Sequence, residues 1–269
     1  MNQRNFFPGD EWLYFKVYVS TSHADSILCH RILPMTCKLK KAGVIDKWFF
    51  IRYADPGHHL RVRFHIQSPE ASGIIVSRMR KALAPELKSG IVSDLQICTY
   101  RREIERYGAN TIACCEDLFC ADSEATVRYL RRNGASDNTA KAMEAIARID
   151  ALFAASGLAV DQRLPLISQM ADAYHREFGY GLKCDDLNSL YRKHKDAVFG
   201  AIKSASIPDS YRKLDFSWLR SDRTRENLLP SLSHMLVNRL LPTSQRQYEL
   251  VIYHFMVKVY SRLLHSSQQ

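Results

Sequence analysis

No Cys-x-x-Cys pair occurs in this 269-residue chain, although it has seven cysteines, at 29, 37, 98, 114, 115, 120 and 184, and no histidines stand beside them at ligand spacing. Neither a zinc site nor a disulfide framework is written here, and an odd number of free thiols fits a reducing cytoplasm. The adjacent Cys114 and Cys115 read as two small core residues on a helix rather than a redox couple. Long apolar runs are also missing. The longest, Leu250 to Leu264, is broken by His254, Lys258 and Arg262, too short and too charged to span a bilayer. The first ten residues lack a basic stretch followed by an apolar one, so no secretory signal is expected. There is no internal repeat, no low-complexity tract and no cofactor motif to act as an electron sink.

What is present is the makeup of a soluble globular protein, 46% hydrophobic and 25% charged, with a net charge of +10. That surplus attracts polyanions, but the basic residues are spread along the chain and lack the glycine-aromatic signature of RNA-binding sheets. It fits an enzyme with a carboxylate-bearing substrate equally well.

Patterning divides the chain in two. Trp12 to Val19 reads as a strand, about Ala24 to Lys41 as a helix, and Lys47 to Tyr53 and His59 to Ile66 as a hairpin. The hairpin turns at Asp55-Pro56-Gly57, where Pro then Gly suits the centre of a type II turn. A helix capped by Ser68 and started at Pro69 runs to about Leu87, and Ile91 to Thr99 alternates as a fourth strand. The expected fold is therefore α+β, with a ferredoxin-like βαββαβ N-terminal half, residues 1–109, and a mainly helical half, 110–269, packed on the sheet as one domain. Helices are predicted over Thr111–Asn133, Asn138–Ser156, Pro165–Phe178, Leu187–Ser206, Pro230–Leu241 and Ser244–Leu264, with Asp209–Arg225 as an irregular, mobile loop.

Three basic clusters carry chemistry. In His59-Leu60-Arg61-Val62-Arg63-Phe64-His65-Ile66 the apolar side chains fall on one face and His, Arg, Arg, His on the other. Aligned cations repel, so that face is either solvated or holds an anion, and a carboxylate is the natural ligand. A central third strand would have this face covered. After the fourth strand, Glu103 and Arg106 are three apart and can pair on a helical turn, while Tyr100 and Tyr107 form an amphipathic wall. The same pair also fits a plain surface ion pair. Further on, Leu232, Met235, Leu236 and Leu240 form an apolar stripe, and His234 lies one turn from Asn238 on another side. A buried His beside a buried Asn is either a satisfied core histidine or a positioned acid/base.

Together, Trp48-Phe49-Phe50-Ile51-Arg52-Tyr53, His59-Leu60-Arg61-Val62-Arg63-Phe64, Glu103-Ile104-Glu105-Arg106-Tyr107-Gly108 and His234-Met235-Leu236-Val237-Asn238-Arg239-Leu240 resemble the C-terminal elimination domain of lantibiotic dehydratases, also called the thiopeptide-type bacteriocin biosynthesis domain. The resemblance runs from Glu11-Trp12-Leu13-Tyr14 to the last predicted helix, with the motifs in the family's order. It implies a stand-alone form that removes glutamate from glutamylated Ser or Thr of a ribosomally made precursor peptide, giving dehydroalanine or dehydrobutyrine. The implied partners are that peptide and a separate tRNA-dependent glutamylating dehydratase; homodimerisation is left open, and no membrane span, metal or cofactor is implied. The resemblance puts the family's R-x-R on Arg61 and Arg63, its E-x-x-R on Glu103 and Arg106, and its essential histidine on His234. Ala109 stands where the family often has a second glycine, and Leu236 where it often has a second histidine.

On this resemblance Arg63 and Arg106 bind the glutamyl group and the leaving carboxylate, Arg61 supports them, Glu103 orients an arginine or relays a proton, and His234 is the general acid/base. His59, Tyr107 and Asn238 are expected to contact substrate. The rivals are a pyridine synthase that joins two dehydroalanines by formal aza-[4+2] cycloaddition, a non-catalytic precursor-peptide-binding subunit, and an RNA-binding accessory that recruits glutamyl-tRNA.

Overall fold

A computed structural model describes residues 3–134, 137–178 and 184–266. The chain forms two compact units, residues 1–135 and 136–269. The division falls beyond the expected 109/110 because the first long helix after the sheet packs on it.

In the first unit, strand β1 (Asn5–Phe6) precedes β2 (Trp12–Val19), helix α1 (Thr21–Ile27), a π-helical segment (Leu28–Ile32) and α2 (Leu33–Lys41). The sequence pattern reads as one helix here. Pro34 has no N–H for the bond to the preceding turn, and the helix widens to π geometry just ahead of it. Next come β3 (Ile45–Tyr53), β4 (His59–Ile66), α3 (Ala71–Lys88), β5 (Val92–Cys98), β6 (Tyr100–Arg101), the single turn α4 (Ile104–Tyr107) and α5 (Ile112–Asn133).

Two details of the expected connections are corrected. Gly57 does not adopt the positive φ that a type II turn requires, and the Asp55–Pro56 bond is cis. Helix α3 begins at Ala71, and Ser68 serves it through its carbonyl, which accepts from the Ala71 N–H at 3.0 Å, rather than as a side-chain cap.

The four long strands form an antiparallel sheet in the order β3-β4-β2-β5, and β1 pairs separately with β6. Alternation decides the faces. Leu13, Phe15 and Val17 of β2, Phe50 of β3, and Leu60, Val62 and Phe64 of β4 join Ile75, Met79 and Leu83 of α3 in one core. The opposite face of β4 carries His59, Arg61, Arg63 and His65; His59 and Arg63 are buried, 2% and 6% exposed, whereas Arg61 and His65 are half-buried. Helix α5 closes the β3 edge, where the Ser123 hydroxyl accepts from the Phe50 N–H at 3.1 Å.

The second unit is helical: α6 (Asn138–Ala155), α7 (Val160–Phe178), α8 (Cys184–Lys203), α9 (Asp222–Leu240) and α10 (Gln245–Ser266), with short 3₁₀ turns at Asp209–Tyr211 and Ser217–Leu219. Helices α7 and α9 do not start at their prolines. Pro165 and Pro230 sit inside them, since proline has a helical φ and forfeits only one bond of the ladder, while Ser221 caps α9 by accepting from the Thr224 N–H. The stretch read as a mobile loop is anchored by Tyr211 and Leu219, both buried. Among the described residues, no helix is long and apolar enough to cross a membrane.

Candidate active site

Strand register builds the first part. Arg63 lies opposite Tyr14 on β2 and Phe49 on β3, so its neighbours across both strands are aromatic. Its guanidinium carbon stands 4.6 Å from the Tyr14 ring centre, 5.0 Å from Phe49 and 4.6 Å from Tyr100. Nε and Nη1 are buried with no hydrogen-bond partner. Burial lowers the pKa of Arg63 and the Arg61 charge adds to this, while Tyr100, Tyr14 and the Glu103 carboxylate oppose it. Tyr14 and Tyr100 are pushed up by burial, so the cage walls remain neutral phenols. A cation held by ring faces, with two donors unanswered, carries a desolvation cost that the ring contacts only partly offset.

Arg61 is next along the face. Its guanidinium stacks 3.4 Å from the Tyr53 ring centre, and its Nε donates to His59 Nε2 at 3.2 Å. His59 in turn donates from Nδ1 to the Gly57 carbonyl at 2.8 Å, which fixes the tautomer. Burial lowers its pKa, in keeping with a neutral ring that accepts from Arg61. His59 thus reaches Arg61 directly and acts as its support. Lys16 is the cross-strand neighbour of Arg61, so the face concentrates positive charge. His65 is taken up by Asp46 at 2.7 Å and stands apart from this cluster.

The strand exit supplies the second part. Glu103 and Arg106 pair at 3.5 Å as their spacing predicts, and the carboxylate is mostly exposed. Tyr107 is buried edge-on against Phe119, ring centres 5.3 Å apart, with the Arg106 guanidinium 5.4 Å from its own ring centre. Gly108 turns the chain at a φ of 78°, and a Cβ there would come within 2.8 Å of Thr111 Oγ1.

Sequence reasoning missed the residue that fixes this exit. Glu116 on α5 is buried and accepts from Tyr100 Oη at 2.7 Å and from Arg102 Nε and Nη2 at 2.7 and 2.6 Å. It pins one wall of the Arg63 cage. Within the helical pattern, a lone acid at this position carries no sign of its role.

In the second unit, His234 is a quarter exposed on α9, and its Nδ1 lies 3.1 and 3.0 Å from the two carboxylate oxygens of Glu249 on α10. Glu249 is fully buried and also accepts from Tyr253 Oη at 3.0 Å. Asn238, expected beside the histidine, is half-buried on α9 and is not the imidazole's partner. The carboxylate holds the proton on Nδ1 and leaves Nε2, which has no partner among the described residues, to exchange one. Among the described residues no cluster of His, Cys, Asp and Glu could hold a metal ion.

The chain is similar to several known proteins. The nisin biosynthesis protein NisB of Lactococcus lactis subsp. lactis is 25% identical over 265 residues, which is 94% of this chain and 26% of that protein. The chain thus spans about a quarter of that relative's length. Among solved structures, the tRNA-dependent lantibiotic dehydratase MibB from Microbispora sp. 107891 matches with a TM-score of 0.70 and 24% identity, over 97% of this chain and 29% of that one. The pyridine synthase TbtD from thiomuracin biosynthesis matches with a TM-score of 0.69 and 14% identity, over 96% of this chain and 100% of that one. Both solved structures show the same fold. The family described as lantibiotic biosynthesis dehydratase C-term matches residues 12–260, so the chain belongs to that family.

Proposed function

We propose that the chain is a lyase that eliminates glutamate from glutamylated Ser or Thr of a precursor peptide, leaving dehydroalanine or dehydrobutyrine. The observation that carries this is the Arg63 guanidinium, buried among three rings with two donor nitrogens unpaired. In the reaction, His234 Nε2 takes the α-proton, the Cα–H electron pair forms the Cα=Cβ bond, and the Cβ–O pair departs with the glutamate carboxylate. Arg63 and Arg106 receive the glutamyl carboxylates and Arg61 adds charge. One preorganised donor toward developing charge is typically worth about 2.7–4 kcal/mol. Glu103 orients Arg106 through their ion pair, and Glu249 holds His234 in the tautomer that leaves Nε2 as base.

On the same reading the first unit is ferredoxin-like, which the order β3-β4-β2-β5, with helices between β2 and β3 and between β4 and β5, supports. The substrate must come from an aminoacyl-transfer reaction, the role given to a glutamylating partner. Cycloaddition asks for no acceptor of a leaving carboxylate, so the unpaired guanidinium favours elimination over the pyridine synthase reading.

The test is direct. Arg63→Ala, Arg106→Ala and His234→Ala are each incubated with glutamylated peptide and the products weighed by mass spectrometry. Accumulated glutamyl adduct supports the assignment; full dehydration by all three variants refutes it. A peptide already holding two dehydroalanines serves as the second substrate, and its cyclisation with loss of leader would establish the rival.

A further inference from the structure

The first unit carries a second concave surface, on the side of the sheet away from the arginines. Helices α2 and α3 turn Leu39, Ile75, Met79 and Leu83 toward the sheet core. Between their outer faces runs a groove of about 390 Å³. On its floor the exposed large apolar residue is Ile74, 46% exposed, and Met35 and Leu39 lie beneath it, buried in the core. Its rim is basic: Lys38, Arg78 and Lys81 are exposed along it and form no ion pair among the described residues. These residues recur at helical spacing, 35, 38 and 39 on one helix and 74, 78 and 81 on the other, so two continuous faces line the groove. Arg31, also at the groove, is matched by Glu86 at 2.6 Å.

We propose that this groove docks an acidic amphipathic α-helix presented by another protein. The floor would take an apolar stripe at i, i+3, i+4 and i+7, and the three rim cations would pair with flanking Asp or Glu. Charge complementarity of this kind selects the partner and speeds encounter. The lining favours a helix over single-stranded RNA, because it offers no Phe, Tyr or Trp on which bases could stack. Docking here leaves the arginine face open, so the inference does not depend on the elimination reading.

The probe is a fluorescein-labelled synthetic peptide of about 18 residues, roughly five helical turns, with leucines at i, i+3, i+4 and i+7 and glutamates between them. A scrambled peptide of equal composition and a single-stranded RNA oligonucleotide serve as controls, and binding is read by fluorescence anisotropy on the full chain. The amphipathic peptide is expected to bind at least about tenfold more tightly than the scrambled one. That preference should be lost in Ile74→Asp and in the triple variant Lys38→Glu, Arg78→Glu, Lys81→Glu, each about a tenfold loss or more. All four positions are exposed, and circular dichroism with an unchanged urea midpoint checks that the variants fold. Equal binding of the scrambled peptide, tighter binding of the RNA, or binding by the variants as tight as by the unaltered chain each overturns the proposal.

Discussion

Replacing Arg63 by methionine should abolish elimination and leave the fold as stable as before or more so. The guanidinium is 6% exposed and meets three ring faces at 4.6–5.0 Å. A desolvated cation–π contact is worth about 0.5–2 kcal/mol. Three contacts that share one cation do not add fully, so together they supply roughly 2–4 kcal/mol. Against this stand two buried donors without partners, each costing about 1–3 kcal/mol, and a desolvated charge whose effective penalty is several kcal/mol more. The opposing terms are the larger. Methionine keeps most of the volume, needs no hydrogen bond and makes sulfur–aromatic contacts of about 0.3–1.5 kcal/mol. The expected change lies between neutral and about 4 kcal/mol of added stability. Urea unfolding measures it through the midpoint, at an unchanged slope. A variant less stable by more than about 2 kcal/mol would show that the cation is kept for the fold, and the reasoning that assigns it to a ligand would fail.

Other outcomes follow from separate features. Glu249→Gln should lower the elimination rate by about 10²-fold or more, read as glutamylated peptide that persists in a timed mass assay, because an amide no longer holds His234 Nδ1 protonated. Stability should fall with acid. Burial first, then Lys258 and His175, push His254 down to about 4, so between the unfolded value near 6.5 and 4 the unfolded chain takes the proton first. That amounts to about 2 kcal/mol lost between pH 7 and 5. His59 shifts in the same direction, and His254→Gln should flatten the urea midpoint against pH. Gly108→Ala should destabilise the first unit by about 1–3 kcal/mol, measured by the same unfolding, since its φ of 78° and the 2.8 Å approach to Thr111 leave no room for a Cβ.

The strands were legible because alternation is local. Trp12–Val19 and His59–Ile66 coincide with their predicted bounds, and the partly covered cationic face follows from β4 lying between β3 and β2. The Glu103–Arg106 pair was legible for the same reason, a three-residue spacing on one turn. What escaped depends on contacts distant in sequence. Spacing shows that Asn238 is one turn from His234, but the carboxylate at His234 Nδ1, Glu249, is on the next helix; Glu116 meets Tyr100 across sixteen positions. Proline favours a first turn, so the pattern predicts helix starts at Pro165 and Pro230, yet tertiary packing carries both helices through them.

The two-residue strand β1 has a consequence out of proportion to its length. Asn5 and Phe6 pair with Arg101 and Tyr100, the Arg102 N–H donates to the Arg4 carbonyl at 2.9 Å, and the Phe6 ring lies against Tyr100 and beneath the Arg102 guanidinium. The opening residues therefore work as a strap across the segment that bears both a cage wall and the turn to Arg106. Trimming Arg4 to Phe6, or tethering a bulky tag hard against them, would slacken the segment from Tyr100 to Arg106, a hundred residues downstream, without altering any residue in it.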